Sequence, residues 1–185
     1  MTNRTIFSEE ILAAWCAKGD RKSQKYLYET YTNQMFRLLL RYMGNEHDAD
    51  DVLVVAFTKV LKNIGDFNFR GKGSLSAWIK KIMVNEALMF LRSKKQTELL
   101  DDHDQIADVL DAGSSLDAED VFNLVKDLPT SYRTVFNLYI IEGYSHKEIA
   151  DMTGISENTS KSQLKKARKK LQEKIIKTKA GYELG

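Results

Sequence analysis

The residues with the clearest chemical potential are the basic and small polar side chains between positions 156 and 180. This range holds nine lysines or arginines and two acidic residues. Lysine and arginine neutralise phosphate groups, while serine, threonine, asparagine and glutamine can hydrogen-bond to base edges. The pattern therefore favours binding to a nucleic acid over covalent catalysis.

The other reactive residues do not show the spacing of a catalytic or metal-binding site. His47, His103 and His146 lie far apart in the chain, and no spacing typical of metal ligands occurs. No glycine-rich phosphate loop follows a predicted strand. We therefore predict no catalytic residue, no cofactor and no metal, and we interpret His47 and His146 as ordinary surface residues near helix starts.

The elements that position the basic residues are predicted to be two short helices joined by a tight turn. Ser145 and Glu148 can form a capping box on the first helix, Gly154 suits the chain reversal, and Ser156 can cap the second helix. This combination predicts a helix-turn-helix whose second helix enters the DNA major groove; a helical hairpin with a solvated basic face is the alternative. The predicted inward positions of the second helix are Ser160, Leu164, Ala167, Leu171 and Ile175.

The composition predicts a folded, largely helical protein. Of the 185 residues, 43% are hydrophobic and 29% are charged, with one proline and 10 glycines, as in soluble globular proteins. No apolar run reaches membrane-spanning length, and the N-terminus lacks a signal-peptide core. The single cysteine, Cys16, excludes an internal disulfide and is interpreted as a small core residue. We therefore expect a cytoplasmic protein without stable membrane insertion.

Periodicity and charge divide the chain into two small all-α domains. Apolar residues recur at helical spacing from 8 to 95 and again from 117 to 180, and no strand pattern occurs. The periodicity fades between 96 and 116, and residues 96–125 include nine acidic side chains and no lysine or arginine. We predict helical domains at 8–95 and 117–180, joined by an acidic flexible linker at 96–116.

The third predicted helix, 46–64, has the cleanest apolar stripe in the N-terminal half. Val54 and Val55 fall outside that stripe, where a soluble helix normally carries polar groups. They either pack against another helix of the same domain or belong to a partner-binding surface. The inward residues of this stripe are Ala49, Val52, Leu53, Ala56, Phe57, Val60, Leu61 and Ile64.

A glycine-rich loop with two aromatic residues, 65–73, leads into the fourth predicted helix. Phe67 and Phe69 are by default core residues, although aromatic rings beside basic side chains also suit the capture of an unstacked base. Ser74 is predicted to cap the helix. The predicted inward residues are Leu75, Trp78, Ile79, Ile82, Leu88 and Leu91, and a basic face includes Lys80, Lys81, Asn85, Arg92, Lys94 and Lys95.

Several short motifs follow one another in a specific order along the two halves. They are Asp48-Ala-Asp-Asp-Val52, Ala56-Phe-Thr-Lys-Val60 and Gly73-Ser-Leu-Ser-Ala-Trp-Ile79, then Leu128-Pro129, Tyr144-Ser145, Glu148-Ile-Ala150, Gly154-Ile-Ser156 and Ala167-Arg168. In this order the chain resembles bacterial RNA polymerase sigma factors of the extracytoplasmic-function group. The resemblance covers about residues 24–176, apart from the linker.

The resemblance implies a protein that binds core RNA polymerase and directs it to promoter DNA. The implied residues for the upstream element are Ser156, Asn158, Thr159, Lys161, Ser162, Gln163, Lys165, Lys166 and Arg168. Those for the downstream element, as it melts, are Asn68, Arg70, Lys72, Trp78, Lys80, Lys81, Asn85 and Arg92. Those for the polymerase are Asp48, Asp50, Asp51, Val54, Val55 and Thr58. Because members of the group are often held inactive by an anti-sigma factor, that is a further candidate partner.

Two departures from the group's pattern are visible. Val54-Val55 stands where the group usually has Gln-Glu, and this apolar pair is expected to strengthen docking, weaken it or change the partner. Ser160 and Gln163 stand where many relatives have valine and arginine, so Ser160 loosens the core and Gln163 offers an adenine-reading amide.

One rival function is a free-standing DNA-binding regulator, but this function does not explain the motifs between residues 48 and 85. Another is an anti-sigma or scaffolding protein, which has no need for two basic faces.

Overall fold

The computed structural model describes residues 8–98 and 118–182, which contain eight α-helices and no strand. The predicted all-α fold is confirmed. These residues form two compact units, one from 8–39 and 47–90, the other from 40–46, 91–98 and 118–182. The helices are α1 (Glu9–Ala17), α2 (Arg21–Met43), α3 (Glu46–Asn63), α4 (Ser74–Glu98), α5 (Ala118–Lys126), α6 (Thr130–Phe136), α7 (His146–Thr153) and α8 (Glu157–Tyr182).

The core of the first unit follows the apolar stripes of its helices. Asp20 caps α2, since its carboxylate accepts a hydrogen bond from the Ser23 backbone N–H at 2.8 Å. On α1, Ile11 and Trp15 are exposed although both are large and apolar. The buried residues include Leu12, Ala13 and Cys16 of α1, Leu27, Tyr31, Met35, Leu38 and Leu39 of α2, and Ala49, Val52, Leu53, Ala56, Phe57 and Val60 of α3.

Two details of α4 differ from the prediction. Ser74 does not cap the helix: it is the first helical residue, and its hydroxyl accepts a hydrogen bond from the Arg70 backbone N–H at 3.2 Å. The buried face also lies further round the helix than predicted, because Met83, Val84 and Ala87 are buried while Trp78 is half-buried. The helix extends to Glu98, and the rest of the predicted linker lies outside the described residues.

In the second unit, α8 packs against α5, α6 and α7. Pro129 occupies the N-cap position of α6, and its carbonyl accepts from the Arg133 N–H at 2.9 Å. The guanidinium of Arg133 is buried and donates to the carbonyls of Lys126 and Leu128 at 2.6 and 3.1 Å. It thereby satisfies carbonyls at the end of α5 and fixes the corner before α6.

The chain continues from α6 into a π-helical segment, Asn137–Ile141, and then turns into α7. The sequence indicated no such irregularity. In this segment Leu138 is buried and Tyr139 is half-buried, facing α7. No helix within the described ranges is both long and apolar enough to cross a membrane.

Candidate nucleic-acid interface

The first helix of the predicted helix-turn-helix begins with a complete capping box. The Ser145 hydroxyl accepts from the Glu148 backbone N–H at 3.3 Å, and the Glu148 carboxylate accepts from the Ser145 backbone N–H at 2.8 Å. The Ser145 hydroxyl also donates to the Glu148 carboxylate at 2.7 Å, and this bond, together with the one from the Ser145 backbone N–H, lowers the pKa of Glu148 below its usual value of 4.5 because both favour its charged form. The start of α7 is therefore fixed by its own sequence.

The turn between the two helices also forms as predicted. Gly154 adopts the left-handed conformation with φ 74°, which a side chain would disfavour. Ser156 then caps α8, since its hydroxyl accepts from the Thr159 backbone N–H at 3.0 Å. Both helices of the motif thus begin at residues that their sequences specify.

One side of α8 is buried and the other presents its basic residues. Ser160, Leu164 and Ala167 are buried, as predicted, whereas Leu171 and Ile175 are half-buried. A groove of about 710 Å³ runs along the exposed side. Its lining includes five of the predicted upstream-element residues, Lys161, Ser162, Lys165, Lys166 and Arg168, together with Tyr139, His146, Leu164, Lys169 and Gln172.

The remaining predicted residues of α8 do not line this groove. Asn158 is exposed, and Thr159 and Gln163 are half-buried. Several hydroxyls also have structural roles, because Thr159 lies 2.8 Å from the Ser156 hydroxyl and Ser162 donates to the Thr159 carbonyl at 3.1 Å. The lysines and Arg168 therefore give the groove its chemistry, and a positive groove of this kind attracts phosphates.

His146 is not the ordinary surface residue that the sequence suggested. Its Nδ1 lies 2.9 Å from the buried Ser160 hydroxyl, and its ring stacks on Tyr139 at 4.4 Å between centroids. Partial burial lowers the pKa of His146 below 6.5, and nearby Lys161 lowers it further. The sequence could not predict this contact, because His146 and Ser160 are 14 residues apart and only folding of the helix-turn-helix brings them together.

A second stripe lies at the surface of α4, and all of its members except the half-buried Trp78 are exposed. Trp78, Lys81, Asn85 and Arg92 recur at intervals of three, four and seven residues, which places them on one face at about 100° per residue. Met89, which the sequence analysis missed, lies on the same face and is 50% exposed. Lys80 is about 200° from Trp78 around the helix and is half-buried, so it is not part of this stripe.

The loop before α4 places its two phenylalanines differently. Phe67 is half-buried and tilts against Trp78 at 5.7 Å between ring centroids, whereas Phe69 is exposed. The loop's predicted contact residues, Asn68, Arg70 and Lys72, are all exposed. An exposed aromatic ring beside basic and amide side chains provides a surface on which a base can stack.

A third surface lies on α3. Val54 and Val55 are 61% and 50% exposed, so the interpretation that they pack within their own unit is wrong. Asp50, Asp51 and Thr58 are exposed on the same side of the helix, whereas Asp48 is half-buried at its edge. An apolar pair with an acidic rim is typical of a protein-binding surface.

Among the described residues, no cluster of three or more histidine, cysteine or acidic side chains is arranged to hold a metal. Cys16 is 2% exposed, and burial together with Asp20 raises the pKa of its thiol to about 11. Its interpretation as a core residue is confirmed.

Comparison with protein families gives two consecutive matches. Sigma-70 region 2 matches residues 27–97, which include the α3 surface, the loop and the α4 stripe. Sigma-70, region 4 matches residues 119–171, which include the helix-turn-helix and its basic groove. The order of the two matches is the order of the motifs in the sequence.

Relatives cover nearly the whole chain. SigW from Bacillus subtilis (strain 168) is 30% identical over 173 residues, spanning 85% of this chain and 91% of that protein. SigM from Mycobacterium tuberculosis (strain ATCC 25618 / H37Rv) is 32% identical over 164 residues, spanning 88% and 81%. Both are ECF RNA polymerase sigma factors.

A solved structure shows the same fold at lower identity. The sigma factor RpoE from Bartonella quintana, in complex with the anti-sigma factor NepR, has a TM-score of 0.51 and 21% identity. The alignment covers 80% of this chain and 94% of that chain. By its two family matches and its relatives, this chain belongs to the extracytoplasmic-function (ECF) group of RNA polymerase sigma factors.

Proposed function

We propose that this sigma factor binds core RNA polymerase through α3 and directs it to a promoter read at two elements. The helical domain at 8–95 engages the downstream (−10) element, and the helix-turn-helix domain at 117–180 engages the upstream (−35) element. The observation that carries this proposal is the basic groove along α8, which begins at a well-formed cap and turn. RNA synthesis itself belongs to the polymerase, and the protein acts in the cytoplasm with it.

The upstream element binds as duplex DNA. The first turns of α8 enter the major groove, where Asn158, Thr159 and Gln163 reach base edges and determine specificity. Lys161, Lys165, Lys166 and Arg168 contact phosphates. Because phosphate contacts release counterions, binding of this element weakens steeply with rising salt.

The downstream element binds as it becomes single-stranded. Trp78, Lys81, Asn85 and Arg92 form the surface along α4, and the loop contributes Asn68, Phe69, Arg70 and Lys72. Removing a base from the duplex costs a few kcal/mol, of which stacking on an aromatic ring returns about 1–3 kcal/mol. Lys80 lies outside the α4 stripe and has a smaller role in this proposal.

The polymerase-binding surface comprises Asp50, Asp51, Val54, Val55 and Thr58, with Asp48 at its edge. Val54 and Val55 supply apolar area at its centre, and the acidic side chains form a rim that suits a basic partner surface. An anti-sigma factor, like the partner in the Bartonella complex, is a second candidate for occupying the exposed surfaces.

The decisive experiment reconstitutes transcription from purified components. The full chain is mixed with core bacterial RNA polymerase and a pool of genomic promoter fragments, and transcripts with defined starts are sequenced. Specific starts that require the chain support the proposal, and the DNA upstream of them identifies both elements. Binding of the chain to DNA without any polymerase-dependent transcript would instead favour the free-standing regulator.

A further inference from the structure

The N-terminus of α4 is capped by a side chain from a distant helix. One carboxylate oxygen of Glu9, on α1, accepts hydrogen bonds from the backbone N–H groups of Gly73 at 2.9 Å and Leu75 at 3.1 Å. Its other oxygen lies 3.5 Å from the Tyr31 hydroxyl. Glu9 is thus bound across more than 60 residues of sequence to the end of the glycine-rich loop.

These bonds satisfy donors that the local sequence leaves open. The first backbone N–H groups of a helix have no partner within the helix, and the helix dipole favours a negative charge there. Ser74 does not supply the acceptor, because it is the first helical residue rather than the N-cap and its hydroxyl is directed to the Arg70 N–H. Glu9 takes the place of the missing local cap.

The same helix contacts the other end of the loop. α1 packs against the short 3₁₀ turn Ile64–Asp66, where the loop begins. The loop then ends at Gly73, with φ values of 111° at Gly71 and 90° at Gly73. Glycine backbones at these values are readily rearranged, so the conformation depends on contacts from outside the loop. α1 supplies such contacts at both ends.

We propose that Glu9 is a positioning residue for recognition of the downstream element. It does not touch DNA; it fixes the start of α4 and the end of the loop, so that Phe69 and the α4 stripe are already oriented when a base is exposed. A loop ordered in advance loses less conformational entropy on binding. The inference rests on the proposed function, because it assumes that this loop and α4 engage the downstream element.

The test uses the full chain with core bacterial RNA polymerase on a promoter recovered in the transcription experiment. Glu9→Ala removes the acceptor, Glu9→Gln keeps an oxygen at the same reach, and Glu10→Ala removes the neighbouring exposed carboxylate as a matched control. Promoter opening is followed by the fluorescence of 2-aminopurine placed in the downstream element. Duplex binding of the upstream element and the thermal midpoint are measured for every variant.

We expect Glu9→Ala to lower promoter opening about fivefold, the factor that corresponds to loss of one helix cap. Glu9→Gln and Glu10→Ala should retain most of the wild-type opening, and duplex binding of the upstream element should not change. Equal opening by Glu9→Ala and the wild type would overturn the proposal. Tighter binding of single-stranded DNA by Glu9→Ala would overturn it too, because the carboxylate would then be competing with phosphate at the helix N-terminus.

Two further comparisons keep the result interpretable. If Glu9→Ala does not fold, Glu9→Asp replaces it, since this variant keeps the charge but is one methylene too short to reach both N–H groups. Promoter opening by Glu9→Asp equal to that by Glu9→Gln would then refute the positioning role. A wild-type chain that opens no promoter would refute the proposed function itself, an outcome distinct from failure of the Glu9 proposal.

Discussion

His146 Nδ1 lies 2.9 Å from the hydroxyl of Ser160, and this pair joins the first residue of α7 to a fully buried position of α8. Tyr139 stacks on the His146 ring at 4.4 Å between centroids, so three segments of the second unit meet at one imidazole. Because His146 and Lys161 also line the basic groove, the contact ties the orientation of α8 to the surface proposed to bind DNA.

The His146–Ser160 pair should show energetic coupling. Ser160→Ala removes a buried hydroxyl that is bonded to the imidazole, so we expect a loss of about 1 kcal/mol in the free energy of unfolding. His146→Ala should cost a similar amount, and the double variant should cost less than the sum of the two. Chemical denaturation of the four proteins measures this. Strict additivity would show that the hydrogen bond contributes nothing to stability.

The stability of the second unit should depend on pH through His146. Its pKa in the folded protein is below the ordinary 6.5, with burial, Lys161 and Arg168 lowering it and Glu157 opposing them. The unfolded chain therefore binds a proton more readily, and stability should fall as the pH drops from about 6.5 towards the lower native pKa. Thermal midpoints between pH 7.5 and pH 5 measure the loss.

The effect of His146 on stability can be distinguished from the effects of other ionisable side chains. The pKa of Glu148 is also lowered, but from 4.5, so the stability that it contributes is lost only below that pH. His146→Gln should reduce the dependence near pH 6, and His47→Gln, which replaces an imidazole that is 87% exposed, is the matched control. An unchanged pH profile in His146→Gln would contradict the assignment.

The basic groove of α8 should govern the salt dependence of DNA binding. Lys161→Ala and Arg168→Ala should each weaken binding of the upstream element and lower the slope of log K against log salt by about one. Fluorescence anisotropy over a series of salt concentrations measures both quantities. Lys170→Ala, with the same charge change outside the groove lining, is the matched control. Equal slopes in all variants would place the DNA elsewhere.

The exposed valine pair should contribute to polymerase binding. Val54→Ala combined with Val55→Ala removes four methyl groups, which corresponds to a loss of roughly 1–3 kcal/mol if the pair is fully buried in the complex. We therefore expect binding to core polymerase to weaken by about fivefold or more. Surface plasmon resonance measures the affinity.

A matched control for this pair is Ile11→Ala, which shortens an exposed apolar side chain on α1. Neither change should lower the thermal midpoint appreciably, because exposed side chains contribute little to the core. Unaltered polymerase affinity in the double valine variant would assign this surface to another partner.

The thiol of Cys16 should be unreactive in the folded protein. At 2% exposure and with its pKa raised to about 11, it offers iodoacetamide almost no thiolate at pH 8. Alkylation should become rapid only in denaturant, as mass spectrometry can follow. Rapid labelling of the native chain would mean that α1 opens locally, and it would weaken the argument that α1 braces the loop.

The sequence predicted the helix-turn-helix correctly because its caps and its turn depend on residues that are close together in the chain. The capping box of α7, the left-handed Gly154 and the Ser156 cap involve residues no more than three or four positions apart. The stripe of α3 likewise predicted that Val54 and Val55 lie off its buried face, but it left open whether another helix covers them, and the structure shows both exposed. Helical period and capping chemistry are short-range properties, so they can be read without knowing the fold.

By itself, then, the sequence determined the helices, the helix-turn-helix and the order of motifs that marks the sigma-factor family. Tertiary structure decided which residues meet across distant segments: Glu9 at the start of α4, and His146 at Ser160. Packing also determined which face of α4 is buried: Met83 and Val84 are in the core, and Lys80 lies outside the surface stripe. The physical reason is that such contacts depend on how whole helices pack, and packing is chosen by the complete core rather than by any local pattern.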